Sequence, residues 1–233
     1  MLINPAATVR VEHPRGVPVL IIDDFYADPD AVRAAALAAN YDMSIAQYPG
    51  RHAALDTRSD ALQAVLQTLA RTATALGDRS YHATDFISDF SIVTTRPDDL
   101  LAIQKHPHID PTPVLGLVYL TPGSIEGTCF FHNDMLDTAV VVSEQQMQAY
   151  GAFIDQYSKT LAPPGYNFDG HPVWKKFYTI EPVFNRFVLY PGNVFHSIDI
   201  RHIDEHIDMA RVRVTQRFIV NNTHPKAPAA SSS

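Results

Sequence analysis

Two residues in the middle of the chain, His108 and Asp110, carry side chains that commonly bind metal ions, and one residue separates them. They lie in the stretch Gln104–Pro111, which we predict to be a strand. Side chains two positions apart in a strand point to the same face. One imidazole and one carboxylate can therefore reach a common point. A second histidine from another strand would complete a triad that leaves positions free on one side of an Fe(II) ion.

His196 is the candidate for that third ligand. The stretch from Asn185 to Ser197 predicts a strand, a tight turn at Pro191-Gly192 and a second strand that carries His196. Proline and glycine between two apolar runs are typical of such a turn. The sequence therefore predicts a metal site formed by His108, Asp110 and His196.

Two further His-x-Asp pairs compete with the first one. They are His202–Asp204 and His206–Asp208, in a charge-dense stretch without alternating apolar residues. We predict that this stretch is a solvent-exposed, metal-free crossing. An alternative pairs His202 with His206 on one helical turn as metal ligands, but that pair has no obvious third ligand.

A strand with basic residues on one face follows the crossing. Arg213, Thr215 and Arg217 alternate there with Val212, Val214 and Phe218. Such a face suits a cavity that holds a dicarboxylate, because the planar guanidinium group binds both oxygens of a carboxylate. Arg213 is the best candidate anchor, with Thr215 beside it and Arg217 as a second contact, and Arg211 stays open as an alternative. Gln104 and His132 are candidate substrate contacts.

The order of these motifs resembles the Fe(II)/2-oxoglutarate-dependent oxygenase superfamily, in particular its prolyl-4-hydroxylase-like branch. The opening segment Ile22–Tyr26, with Pro29 and Val32-Arg33 after it, resembles the N-terminal strand and helix of that branch. Gln104–Asp110, Gly127–Phe131 and Asn185–Ser197 look closest to a bacterial subfamily of unknown substrate. The resemblance spans Val19 to Val220.

This resemblance implies that His108, Asp110 and His196 bind Fe(II), and that Arg213 holds the far carboxylate of 2-oxoglutarate, the cosubstrate. The reaction would be the hydroxylation of a small molecule, an amino acid or a peptide, with 2-oxoglutarate converted to succinate and CO2. Two alternatives stay open. One is a cupin-like metal enzyme that does not use 2-oxoglutarate, and the other is a non-catalytic jelly-roll binding module.

The elements that must position these residues are mostly β, with helices near the N-terminus (an α+β chain). Short strands with Pro/Gly punctuation predict a double-stranded β-helix, that is, a cupin-like jelly-roll barrel. We predict one oxygenase-like domain over residues 1–225 and a disordered tail over 226–233. Within the domain, a strand and helices fill 17–80, and the jelly roll fills 81–222 with a helical insertion at 140–167. The predicted helices are Ala31–Asn40, Ser59–Leu76 and Glu144–Leu161. The predicted strands are Val17–Ile22, Phe86–Val93, Val114–Leu120, Gly127–Asn133, Phe177–Ile180, Arg186–Tyr190, Asn193–Ser197 and Val212–Val220.

The composition of the chain restricts the kinds of molecule that its surface can bind. The 233-residue chain has 25 acidic and 18 basic residues and a net charge of −7, which argues against a nucleic-acid or anionic-membrane surface. The single cysteine, Cys129, excludes an internal disulfide. The N-terminal residues lack the apolar stretch of a signal peptide, so we expect a cytoplasmic protein. A homodimer is left open.

Overall fold

The computed structural model describes residues 1–45, 47–76, 79–161, 165–166, 168–199 and 211–225. The helices of this part are α1 (Pro29–Leu37), α2 (Asp60–Leu76) and α3 (Glu144–Thr160). Its strands are β1 (Thr8–Glu12), β2 (Val19–Asp23), β3 (Gly50–Ala54), β4 (Arg79–Ser80), β5 (Phe86–Val93), β6 (Val114–Tyr119), β7 (Thr128–Asn133), β8 (Trp174–Ile180), β9 (Phe187–Pro191), β10 (His196–Ile198), β11 (Val214–Val220) and β12 (His224–Pro225). The chain is thus mostly β, as predicted.

Two antiparallel sheets carry most of the strands. The larger sheet has the order β1-β2-β9-β6-β11-β5-β3, and the smaller has the order β10-β7-β8. An apolar core joins them, in which Leu117 and Val188 of the larger sheet pack in one cluster with Phe130 and Ile180 of the smaller sheet. The short strands β4 and β12 pair separately.

The other face of the larger sheet is covered by α1 and α2. Asp28 caps α1, accepting a hydrogen bond of 3.0 Å from the backbone N–H of Ala31, and Pro29 occupies the first helical position. Helix α2 is amphipathic, and Leu62, Val65 and Leu69 are buried against the sheet. Both predicted N-terminal helices are confirmed.

Strand β11 lies in the middle of the larger sheet, between β6 and β5. Val214 and Phe218 belong to the core under the helices. Arg213, Thr215 and Arg217 face the opposite side, where they line a cavity. The predicted alternation of side chains between the two faces of this strand is therefore confirmed.

Helix α3 is the insertion between β7 and β8. Ser143 and Gln146 form a capping box at its start, in which each side chain accepts a hydrogen bond from the other residue's backbone N–H, at 3.2 Å in both directions. Phe153 and Tyr157 pack in one cluster with Trp174 and Phe195. This contact fixes α3 against the smaller sheet, so the predicted insertion has a defined position.

Several predicted boundaries are wrong. The stretch Gln104–Pro111 is not a strand: Gln104 ends a turn of 3-10 helix, and His108 makes only an isolated bridge. Pro107 and Pro111 have no N–H to donate, which interrupts any continuous ladder there. Strands β1 and β3, both at sheet edges, were not predicted, and β10 begins at His196 rather than Asn193. Within the described residues, no helix has the length and apolarity needed to cross a membrane.

Candidate metal centre and its cavity

The backbone holds the two candidate histidine ligands side by side. His108 and His196 donate backbone hydrogen bonds to each other's carbonyl oxygens, both at 2.9 Å. The backbone N–H of Asp110 donates to the carbonyl oxygen of Gly192, in the turn between β9 and β10, at 2.8 Å. All three residues are thus positioned by two chain segments that are hydrogen-bonded to each other.

The side chains of this triad converge. One ligand atom from each of His108, Asp110 and His196 lies within 4.8 Å of the other two. A carboxylate oxygen of Asp110 is 3.3 Å from Nε2 of His196, and the other oxygen is 4.0 Å from Nε2 of His108. Two ligands that each lie ~2.0–2.2 Å from one ion are at most ~4.4 Å apart. The two Asp110 distances of 3.3 and 4.0 Å lie within this limit, and two imidazoles with one carboxylate are a donor set that suits Fe(II).

The protonation of these groups also suits a metal. Nδ1 of His196 is 2.9 Å from the carbonyl oxygen of Val194, and this contact orients the ring so that Nε2 faces Asp110. Burial and the neighbouring His196 lower the pKa of His108 to about 4, so this imidazole is neutral at pH 7. Burial would raise the pKa of Asp110, but the hydrogen bond with His196 and the nearby charges hold it below its usual range.

A cavity of about 580 Å³ opens onto the triad. His108 and Asp110 keep 31% and 32% of their side chains exposed, whereas His196 keeps only 6%. Because all three line this cavity, the accessible side of the triad is where further ligands can bind. The volume lies in the range of ~300–1,000 Å³ in which proteins hold small molecules.

Arg213 lies in the same cavity and is only 4% exposed. Its Nε donates to the backbone carbonyl of Glu126 at 3.0 Å, and its guanidinium carbon lies 5.7 Å from the ring centre of Tyr119. No carboxylate of the described residues is within ion-pair distance of this guanidinium group. A buried arginine without a counter-charge is costly, so this site favours an anionic ligand.

Thr215 and Arg217 line the cavity next to Arg213 but are already engaged. The Thr215 hydroxyl lies 2.7 Å from that of Ser91. Arg217 donates from Nε and Nη2 to the two carboxylate oxygens of Asp89, at 2.9 and 2.7 Å. The charge of Arg217 is therefore balanced inside the protein, which distinguishes it from Arg213. Arg211 is exposed to solvent.

The remaining candidates fall in different places. Gln104 lines the cavity, with its amide nitrogen donating to the carbonyl oxygen of Tyr48 at 3.0 Å. His132 is not among the cavity residues: its ring lies 3.2 Å from a carboxylate oxygen of Asp134, near Asp137. His132 was predicted to contact the substrate, but it does not line this cavity. The competing His-x-Asp pairs lie outside the described residues.

Three cavity residues that sequence reasoning did not assign to the site carry buried polar atoms without a hydrogen-bond partner. These atoms are the hydroxyls of Tyr48 and Tyr190 and Nε2 of His106. Most buried polar groups are hydrogen-bonded, so such atoms are suited to a bound ligand. Tyr190 lies two residues after Val188 on β9, so strand periodicity predicts that the two side chains point to the same face of the sheet. No such pattern predicts the orientation of Tyr48, because it lies in an irregular segment.

The fold and the site together define a class: a two-sheet, mostly β protein with a His-Asp-His group in a cavity that could hold a metal ion. Similar solved structures include an N-substituted L-amino acid dioxygenase from Burkholderia ambifaria AMMD, with 12% identity over 88% of this chain and 85% of that chain (TM-score 0.41). The epimerase SnoN, in complex with Fe3+, alpha ketoglutarate and nogalamycin RO, shares 12% identity over 95% of this chain and 90% of that chain (TM-score 0.48). A prolyl hydroxylase from Trichoplax adhaerens shares 11% identity over 87% of this chain and 82% of that chain (TM-score 0.39).

The chain itself belongs to the family described as "Family of unknown function (DUF6445)", whose model matches residues 4–219. The match covers the triad, the cavity strands and α3. No curated protein matches the chain significantly.

Proposed function

We propose that this protein is an Fe(II)- and 2-oxoglutarate-dependent dioxygenase, built on a jelly-roll barrel, that hydroxylates a small molecule, an amino acid or a peptide. The proposal also takes residues 1–225 as one oxygenase-like domain. The observation that carries it is a shared cavity: the triad of His108, Asp110 and His196 lines it together with Arg213, whose charge is unpaired among the described residues.

Within this proposal, His108, Asp110 and His196 hold the metal and leave its cavity side open. Arg213 binds the far carboxylate of 2-oxoglutarate, and the free hydroxyl of Tyr190 donates a hydrogen bond to it. The walls exclude water from the reacting atoms. When bound, Fe(II) and 2-oxoglutarate would activate O2, the oxidant: one oxygen atom would enter the substrate C–H bond, and the other would enter succinate as 2-oxoglutarate loses CO2.

The test is anaerobic addition of Fe(II) and 2-oxoglutarate to the purified protein, recorded by visible absorption. We expect a charge-transfer band that needs both additions. His108→Ala should abolish the band, whereas the double variant His202→Ala/His206→Ala should retain it. Metal binding without a band would favour the cupin-like enzyme, and no metal binding at all would favour the non-catalytic module.

A further inference from the structure

One wall of the cavity is supplied by the inserted helix α3. Tyr150, Gly151 and Ile154 line the cavity, and positions 150 and 154 are neighbours on one helical face. The Tyr150 ring packs on Phe195, with ring centres 5.1 Å apart. Its hydroxyl has no hydrogen-bond partner among the described residues. Tyr150 and the triad line the same cavity, and burial together with the nearby carboxylate of Asp110 raises the pKa of Tyr150.

Gly151 leaves space in this wall. A Cβ atom added there would meet no other atom within 4 Å. Glycine is unfavourable inside a helix, and no close contact requires it at this position. Gly151 is exposed and lines the cavity, so a larger side chain at this position would extend into the open space beside α3.

The rest of the wall away from Arg213 is largely apolar or aromatic, with Gln47 and Gln104 as polar residues among it. It is formed by the segment before β3, by residues near the first histidine ligand and by one tyrosine that follows α3. These cavity residues are Ile45, Tyr48, Pro49, Ile103, Ile109 and Tyr166. Apolar walls with a few hydrogen-bonding groups are typical of sites for small organic molecules.

The charges around this space are already balanced. Asp110, Arg213 and Arg217 are the acidic and basic residues among the described side chains that line the cavity. Asp89 neutralises Arg217. The two positive charges of the metal, together with Arg213, would balance Asp110 and the two carboxylates of the cosubstrate. Among the described residues, a charged substrate would then have no counter-charge, and burying an unpaired ion is strongly unfavourable.

Resting on the proposed function, we infer that the primary substrate is an uncharged, largely apolar small molecule, for which an aromatic ring is the best fit. It binds against Tyr150 and Ile154 of α3, and Gly151 sets the size of group that fits. The free hydroxyl of Tyr150 is the hydrogen-bonding group nearest to it on this wall.

The test compares three probes that share one ring and differ in charge: 3-phenylpropanamide, 3-phenylpropionate and 3-phenylpropylamine. Each is titrated by calorimetry into the anaerobic protein with Fe(II) and 2-oxoglutarate. We expect the neutral amide to bind at least ~10-fold more tightly than the anion or the cation, because only the charged probes lose hydration without a partner. Binding heat is measured, so the result does not depend on turnover.

Gly151→Leu fills the space beside α3 and should weaken binding of the amide at least ~10-fold by removing that volume. The matched control is Ala152→Leu, the same side chain on the next residue, which is exposed and not part of the cavity wall. It should leave the affinity unchanged. Equal charge-transfer bands in both variants would show that the metal and cosubstrate site is intact.

The outcomes separate the two proposals. If the wild-type protein forms no charge-transfer band, the proposed function fails. If the band forms but the amide does not bind, or a charged probe binds as tightly as the amide, the inference about an uncharged substrate is wrong. If Gly151→Leu binds the amide as well as Ala152→Leu does, the substrate does not lie against α3.

Discussion

At the scale of single residues, Arg213, which directly precedes β11, and Arg217, within β11, differ in whether a carboxylate neutralises their charge. Arg217 has both carboxylate oxygens of Asp89, whereas Arg213 has a backbone carbonyl and the Tyr119 ring. Sequence alone could not separate them, because both share one face of the strand. The difference depends on Asp89, which pairs with Arg217 across β11 and β5.

The first prediction concerns Arg213→Ala. The triad is untouched, so iron binding should be unchanged. Affinity for 2-oxoglutarate should fall roughly 10- to 100-fold, the equivalent of a lost charge-assisted hydrogen bond of ~1.5–3 kcal/mol. Anaerobic titration of 2-oxoglutarate, followed by the visible band, measures this. Arg211→Ala, on an exposed residue nearby, is the control. Normal binding in Arg213→Ala with weakened binding in Arg217→Ala would assign the anchor to the other arginine.

The second prediction concerns the ion pair of Asp89 and Arg217. Burial would raise the pKa of Asp89, but hydrogen bonds from His52 and Arg217 and their charges lower it overall. A carboxyl group whose pKa is lowered by folding stabilises the protein above its unfolded pKa of about 3.9. That contribution is lost as the pH falls through the lower folded value.

Asp89→Asn should therefore lower the unfolding free energy at pH 7 by about 3 kcal/mol, since Arg217 is left without its partner. Between pH 7 and 5 the difference from wild type should stay constant, and below about 4 it should shrink. Urea unfolding at several pH values measures it. A difference that grows on acidification would contradict the assigned ion pair.

At the scale of elements, the helices and buried strands were predictable from local patterns. Asp28-Pro29 and the apolar spacing of Leu62 and Leu69 gave the helices, and the run Phe86–Val93 gave β5 with its observed bounds. Strand β3 could not be predicted, because Gly50–Ala54 lacks an apolar pattern. It is extended because it pairs with β5, a contact distant in sequence.

The candidate metal ligands could be predicted, because His108 and Asp110 are two positions apart and His196 follows a Pro-Gly turn. The cavity wall formed by α3 and by the segment before β3 could not be predicted. Tyr48, Tyr150 and Gly151 reach the cavity from an irregular segment and from an inserted helix, and their position depends on how these pack. His108 and Asp110 were predicted on a strand that the structure does not contain, whereas His196 lies on a strand as predicted. Local hydrogen bonds at His108 and Asp110 give the convergence instead.

The third prediction concerns the turn between β9 and β10. A Cβ atom at Gly192 would lie 2.2 Å from the carbonyl oxygen of Thr112 and 2.9 Å from that of Asp110. Gly192→Ala should therefore destabilise the protein by about 2 kcal/mol. Because the turn accepts a hydrogen bond from Asp110, iron affinity should also fall.

The matched control for this variant is Gly151→Ala, where the added Cβ meets nothing within 4 Å. It should stabilise the protein by roughly 0.5–1 kcal/mol, because alanine is the better helix former. Thermal unfolding and an iron-binding assay distinguish the two variants. Equal stabilities would refute the close approach at Gly192.

At the scale of the whole molecule, the triad connects separate parts of the fold. His196 is on β10 of the smaller sheet, whereas the His108–Asp110 segment leads into β6 of the larger sheet. A ligand bound by all three residues requires the two sheets to be assembled. Metal binding is therefore expected to stabilise the native state and not the unfolded chain.

The fourth prediction follows from this linkage. Fe(II) at one hundred times its dissociation constant, under anaerobic conditions, should raise the unfolding free energy by ~2.7 kcal/mol. His196→Ala should lose this increment, and His202→Ala/His206→Ala should keep it. Denaturant unfolding with and without Fe(II) measures the effect. An increment that disappears in the double variant would show that the metal binds in the crossing.

The reciprocal hydrogen bonds between His108 and His196 have a consequence for protein engineering. The three ligand positions come from two short backbone segments, and their spacing is set by these bonds and by the contact between Asp110 and Gly192. Once the two sheets are assembled, these few backbone hydrogen bonds set the relative placement of the three ligands. A designer who moves the site to another scaffold would have to keep both segments, the glycine turn between β9 and β10 and the contact between the sheets.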